Sequence, residues 1–337
     1  MEETQLGYFR QNIAVDLGTS TVLVNVEGKG IVIKAPSLVA VEDGTNEIQA
    51  IGNDARVLVD RTNGEVKIVK PIKNGIISNY TTATAMLKYY LNKAVTNPFK
   101  KILKPDVMIS IPCQTTNVEK RAVEQAALEA GARRVYLVYE PLAAAVGWGL
   151  DINKPCGNLV VDIGGGTTDI AVVSYGGIVS SRSVKVAGGA FDEAIKAYMK
   201  KKHGLLIGDQ MAEQIKKDVG SLAFGLRHET GEVRGRDILT GLPNEKEVTS
   251  DELTDCLIEA AMPILDGIHA VLEETPPELA ADIYGRGVNL SGGGSLVFGL
   301  DELIRKSTGI DVTIAENAEE CVAVGAGIIL KREKANK

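Results

Sequence analysis

The sequence predicts an α/β fold made of two duplicated domains, each carrying an inserted subdomain. Three observations predict it. First, the chain contains its own echo: NIAVDLGTSTVLV, beginning at Asn12, and NLVVDIGGGTTDIAVV, beginning at Asn158, share one grammar. Each reads as an apolar strand, an Asp, an aliphatic residue, Gly, small hydroxyl residues and a second apolar strand. Second, the 36 glycines and 4% aromatics favour a glycine-turned aliphatic core over a sandwich with large aromatic anchors. Third, 337 residues match about two domains at roughly 150 residues each.

The elements follow in order. Each half opens on a three-stranded meander with Gly at its hairpin turns, continued by VEGKGIVIK in the first and SYGGIVSSRSVKV in the second. VMISIP is then a strand, and Thr116-x-x-Glu119 is a capping box opening an amphipathic helix that ends at Gly131. RVYLVY is a strand, and a short helix follows Glu140-Pro141 through Val146. In the second half GVNLS is a strand, Leu296 to Lys306 a helix, DVTIA a strand and Ala318 to Leu330 a helix. Residues about 33–75 and 184–245 interrupt this pattern, the latter with helices expected over Phe191–His203 and Gln210–Leu222. A long helix starts at the box Thr249-x-x-Glu252, is expected to bend at Pro263 and ends at Thr275-Pro276-Pro277. The expected domains are 1–145 with 318–337, and 146–317, packed around a cleft.

Composition removes several functions. With 37 basic and 44 acidic residues the net charge is −7, against a global nucleic-acid footprint. Cys113, Cys156, Cys256 and Cys321 are scattered with no C-x-x-C, which fits a reducing cytoplasm, and His203, His228 and His269 lack metal-ligand spacing. The N-terminus has no apolar signal region, and the longest apolar run, Cys321 to Leu330, is too short to span a bilayer. The P-loop, G-x-G-x-x-G and G-x-S-x-G patterns are absent.

The Gly turns suit phosphate and a metal. Backbone amides in a tight turn cradle anionic oxygens, and Thr19, Ser20, Thr167 and Thr168 add hydroxyls. Asp16 and Asp162 repel phosphate directly but make sense through Mg²⁺, which keeps waters and bridges carboxylate to phosphate. One D-x-G-x-T is also an ordinary β-turn. Two at matched places, with Gly292-Gly293-Gly294 after a third strand, form a stronger pattern.

These segments resemble the MreB family of bacterial actin homologues, within the actin, heat-shock chaperone and sugar kinase superfamily. VDLGTST is similar to its first phosphate motif, VDIGGGTTDIAVVS to its second, NLSGGGSLVFGL to its adenosine motif and YEPLAAAVG to its first connecting helix. LLIGDQMAEQIKKDVGS, RGRDILTGLP, ETPPELAADI and KPIKNGIISNY extend the likeness over about residues 10–330. The resemblance implies an actin-like fold with ATP and Mg²⁺ between the halves. It places Asp16 and Asp162 at the metal, and Gly18, Thr19, Ser20 and Gly164, Gly165, Gly166 and Thr167 at the phosphates. Asp192 remains a further phosphate-side acid. Glu213 and Lys216 fall at the ribose or adenine, Gly292, Gly293 and Gly294 beside the nucleoside, and Glu140 and Thr167 at the attacking water. The plain alternatives are a strand-end acid for Glu140 and a surface i, i+3 ion pair for Glu213 and Lys216. Two positions depart from the family pattern: Tyr139 stands where an acid usually precedes Glu140, and Gly188-Gly189 stands where G-D is frequent.

NPFKKILKPD, residues 97–106, interleaves Phe99, Ile102 and Leu103 with Lys100, Lys101 and Lys104. That pattern suits an anionic bilayer surface, or a partly buried loop with snorkelling lysines. Leu6, Tyr8, Phe9 and Arg10 could assist. The resemblance implies an ATP-hydrolysing protein that polymerises into filaments on the inner membrane face and guides cell-wall elongation and rod shape. The competing reading on the same superfold is a small-metabolite kinase acting on a sugar or acid.

Overall fold

The computed structural model describes residues 11–59, 64–95 and 103–335. It divides into two compact units: 1–154 with 175–178 and 319–337, and 155–174 with 179–318.

The first unit begins with β1 (Asn12–Leu17), β2 (Thr21–Val26) and β3 (Gly30–Pro36), the expected meander. All but one residue of β1 is buried, and its partner β2 is nearly as apolar, so this ribbon lies in the centre of a core rather than on its surface. The insertion follows as a small sheet of β4 (Val39–Glu42), β5 (Ile48–Ile51) and β6 (Val66–Val69), with the short helix α1 (Asn53–Val57). A tight β7–β8 hairpin (Ile72–Lys73, Ile76–Ile77) and α2 (Tyr80–Ala94) complete the approach to β9 (Asp106–Ile111). The Thr116–Glu119 capping box is formed as expected at the start of α3 (Asn117–Glu129), with Glu119 accepting from the Thr116 amide at 2.7 Å. β10 (Arg134–Tyr139) runs directly into α4 (Glu140–Trp148). The sheet order is β10-β9-β1-β2-β3, with β1, β9 and β10 parallel and the meander antiparallel. Sequence reading placed the change of domain at 145–146; the unit runs on to Lys154 because α4 packs within it.

The second unit repeats this plan. β11 (Asn158–Ile163), β12 (Thr168–Ser174) and β13 (Gly177–Val184) form its meander, turning through Tyr175 and Gly176, both at positive φ. Its insertion holds α5 (Gly188–His203), β14 (Leu205–Leu206), α6 (Asp209–Asp218) and a hairpin of β15 (Thr230–Asp237) and β16 (Pro243–Thr249). That hairpin was not foreseen, because its charged, exposed strands carry no apolar alternation. The helix expected over Gln210–Leu222 stops at Asp218, and Leu222 instead donates its amide to the Phe298 carbonyl at 2.8 Å. α7 (Ser250–Glu273) starts at the Thr249–Glu252 box and runs through Pro263, and α8 (Pro277–Arg286) follows.

β17 (Val288–Ser291) leads not into a helix at Leu296 but into a 3₁₀ turn over Gly293–Leu296; α9 (Leu300–Thr308) begins only after Gly299, whose positive φ breaks the run. After β18 (Val312–Ile314) the order of this sheet is β13-β12-β11-β17-β18, the same arrangement as in the first unit. The chain returns to the first unit with α10 (Cys321–Ala335), preceded by a 3₁₀ turn at Ala318–Glu320. Lys334 on α10 reaches the fully buried Asp106 at 2.9 Å, where Arg133 also binds in a fork at 2.7 and 2.8 Å. Paired in this way, the Asp106 carboxyl sits below the usual carboxylate range despite its burial.

Candidate nucleotide-phosphate turns

In each central sheet a parallel strand carries an aspartate as its penultimate residue, just before a glycine turn. In the second unit Asp162 pairs in register with Ser291 of β17. The Ser291 hydroxyl donates to Asp162 Oδ1 at 2.7 Å. In the first unit Val15 pairs with Ile109, so Asp16 and Ser110 come next along β1 and β9. The Ser110 hydroxyl donates to Asp16 Oδ1 at 2.8 Å. Burial pushes the Asp16 carboxyl up to about 6, and the Ser110 hydrogen bond opposes that rise. Neither serine was picked out from the sequence. The signal was present, because VMIS and VNLS place a serine at the same point of matching strands of the repeat.

The first turn, Gly18 to Ser20, is tight: a Cβ on Gly18 would lie 2.6 Å from the Thr21 carbonyl oxygen. The Thr19 hydroxyl accepts from the Gly75 amide at 3.0 Å, which ties the turn to the β7–β8 hairpin, and the Ser20 carbonyl accepts from the Ser37 amide at 2.9 Å. Ser20 is exposed.

The second turn, Gly164 to Thr167, is closed by the Gly164 amide donating to the Thr167 carbonyl at 2.9 Å. The Thr167 side chain is buried, and the neighbouring Thr168 hydroxyl donates to the Val186 carbonyl at 2.7 Å. The start of α5 folds back on this turn, with the Gly188 and Gly189 amides donating to the Gly164 and Gly165 carbonyls at 3.1 and 2.8 Å. A Cβ at 189 would stand 3.0 Å from the Gly165 oxygen, a close approach. Gly292 and Gly294 press on the same strand end. A Cβ on Gly292, at φ +80°, would lie 2.3 Å from the Ile163 carbonyl oxygen, and one on Gly294 would lie 2.9 Å from that of Gly164. Gly293 between them is exposed.

Asp192, Glu213 and Lys216 gather on α5 and α6. Lys216 is buried, pairs with Asp192 at 2.8 Å and donates to the Gly188 carbonyl at 2.9 Å. Burial raises the Asp192 carboxyl, while Lys216 counteracts it. Lys216 thus pins α6 to the start of α5 behind the second turn. Glu213 pairs with Lys217 at 2.6 Å and Lys216 with Asp192, which is not the surface i, i+3 pair that was the plain alternative for Glu213 and Lys216.

Glu140 is buried as the first residue of α4, where the helix dipole favours a carboxylate. Tyr139 before it is partnered: its phenol oxygen accepts from Lys120 Nζ at 2.9 Å, and the ammonium lies 5.0 Å from the ring centroid. Of the expected membrane residues, Phe99, Lys100, Lys101 and Ile102 lie outside the described residues, as do Leu6, Tyr8, Phe9 and Arg10. Leu103 is half-buried and Lys104 exposed. Among the described residues no helix is long and apolar enough to cross a membrane, and no cluster of three or more His, Cys, Asp or Glu forms a metal site.

A family model described as MreB/Mbl protein matches residues 10–337. The cell shape-determining protein Mbl of Bacillus cereus is 48% identical over 96% of each chain. Crystal structures of MreB5 of Spiroplasma citri bound to ADP and to AMPPNP are 38% identical, with TM-scores of 0.92 and 0.91 over 97% of this chain and 98% of theirs. The MamK double helical filament, at 21% identity and a TM-score of 0.80 over 96% of this chain and 99% of its own, shares the actin-like fold.

Proposed function

The chain belongs to the MreB/Mbl family of actin-like, cell shape-determining proteins, and from that premise we propose that it binds and hydrolyses ATP. In this reading Mg·ATP is taken by the two glycine turns, and nucleotide state controls assembly into membrane-associated filaments that guide cell-wall elongation. The observation that carries the reading is the duplicated aspartate at the mouth of a glycine-hydroxyl turn. Two single carboxylates, rather than a cage of ligands, suit a cation that keeps several waters. Bound there, Mg²⁺ would neutralise phosphate charge.

The chain's own groups do the rest. Turn amides and the Thr19, Ser20 and Thr167 groups orient the phosphates. Glu140, buried at a helix start, holds a water for in-line attack, and phosphoryl transfer asks for little beyond positioning and charge neutralisation. Phe99, Lys100, Lys101, Ile102 and Leu103 form the proposed membrane contact, and repeated copies along a filament convert weak attachment into stable binding.

Calorimetry with Mg·ATP tests the turns: Asp16→Ala and Asp162→Ala each lose most metal-dependent affinity, and unchanged affinity in both refutes the reading. Glu140→Ala is expected to retain nucleotide but release phosphate about 10²-fold more slowly. Sedimentation after ATP addition, with and without anionic liposomes, tests assembly and attachment.

A further inference from the structure

We propose that Ser110 and Ser291 are matched positioning residues that fix the two aspartates for magnesium. The inference rests on the nucleotide reading above and deepens it.

The geometry occurs twice, in two separate sheets. In each, the serine lies on the strand parallel to the aspartate's own and donates to Oδ1, at 2.8 Å for Ser110 and 2.7 Å for Ser291. Both serines are buried, with 4% and 0% exposure, so water does not compete for the hydroxyl. Ser110 and Ser291 come from sequence-distant strands, 94 and 129 residues away from their aspartates. Local turn chemistry therefore does not account for the pairing; the repeated sheet order does.

A carboxylate near a strand end can occupy more than one staggered rotamer. A hydrogen bond to one oxygen selects one rotamer and leaves the carboxylate plane defined before the cation arrives. Partners that orient a carboxylate near a metal commonly change metal affinity by 10–100-fold. The serine acts through the aspartate and touches neither phosphate nor the attacking water. Ser291 is the more enclosed of the two and pairs with the more buried carboxylate, so its removal has the larger effect.

The test measures ADP affinity with Mg²⁺ and with EDTA, and thermal unfolding without nucleotide, for wild type, Ser110→Ala, Ser291→Ala and Ser→Thr at each site. The alanine variants are expected to keep the EDTA affinity, to melt somewhat lower because a buried carboxylate loses its donor, and to lose about 10-fold or more of the magnesium-dependent gain. Restoring a hydroxyl as threonine recovers it. Mn²⁺ titrated against the ADP complex, followed by its electron paramagnetic resonance signal, reads the same loss without turnover. In an Asp162→Asn background Ser291→Ala has no further effect, because its only route is the carboxylate. An unchanged magnesium gain in both alanine variants overturns the inference while leaving nucleotide binding intact. A full serine effect in the Asp162→Asn background overturns it as well. A wild-type chain with no magnesium gain at all refutes the nucleotide reading itself, and this inference with it.

Discussion

The two glycine turns share a sheet position and an Asp–Ser pair, yet they are braced by different means. The first is held from outside by the Thr19 hydroxyl, which captures the Gly75 amide of a two-stranded hairpin, and by one backbone bond from the Ser37 amide to the Ser20 carbonyl. The second is braced chiefly by backbone, with the Lys216 ammonium holding the Gly188 carbonyl behind it. The α5 amides of Gly188 and Gly189 dock on its carbonyls, and Gly292 and Gly294 press against Ile163 and Gly164 where no Cβ fits. A side-chain brace costs one hydrogen bond to remove. A backbone brace relies on the absence of atoms, so a single added methyl is severe. The second turn is therefore the stiffer and less tolerant of substitution, and the first the more adjustable.

The largest effect breaks the second brace. Gly292→Ala sets a methyl 2.3 Å from a backbone oxygen, which cannot swing aside as a side chain would, and does so at φ +80°. Overpacking and left-handed strain together are expected to cost about 3–5 kcal/mol. Chemical denaturation should show that loss, with nucleotide binding abolished. An alanine variant within about 1 kcal/mol of wild type would mean that the turn yields easily and that the contrast with the first turn is false.

Much of this was legible in the sequence, and the failures have a physical pattern. The meanders, the Thr116 and Thr249 capping boxes and the Asp turns are local signals: alternation, capping spacing and glycine placement are written within a few residues. The β15–β16 hairpin was missed because its strands are exposed and charged, with Arg234 bridging Glu232 and Glu245, so no apolar period announces it. The start of α9 was misplaced because helical spacing continues through Leu296 while Gly299 and the tight packing of Gly292 stop it. The Asp–Ser pairs and the Lys216–Asp192 pair depend on which strands and helices become neighbours, which spacing alone does not encode. Lys216 had an i, i+3 partner in the sequence and took a partner on another helix instead.

A second prediction concerns what the Asp16 carboxylate costs the fold without nucleotide. The Asp16 carboxyl sits near 6 against an ordinary value of 3.8. Between those values the folded chain holds a proton that the unfolded chain has lost, so stability falls as pH rises through about 4 to 6. Above pH 6 the ionised group is carried at a penalty of up to about 3 kcal/mol, reduced because Asp16 keeps partial exposure. Asp16→Asn should therefore be more stable than wild type at pH 7 without nucleotide, with the advantage vanishing near pH 4, while Mg·ATP affinity is lost. Thermal unfolding across that range checks it. A variant less stable at pH 7 than at pH 4, relative to wild type, would reverse the sign and place the carboxylate in a favourable environment.

The smallest effect tests the brace of the first turn. Thr19→Val keeps the shape and removes the hydroxyl, leaving the Gly75 amide without that acceptor. The site is only partly buried, so water can replace the lost partner, and the expected cost is about 0.5–1.5 kcal/mol. Thr19→Ser retains the acceptor and should lie close to wild type. Stability alone is a blunt reading here; amide exchange at Gly75 is the sharper one. It should quicken in Thr19→Val, with exchange at Gly188 and Gly189 unchanged, because those amides brace the other turn through backbone carbonyls. Equal quickening at both places would mean that the turns share one source of rigidity. Unchanged exchange at Gly75 would mean that the hairpin holds itself, and that Thr19 is free to face phosphate without loosening its neighbour.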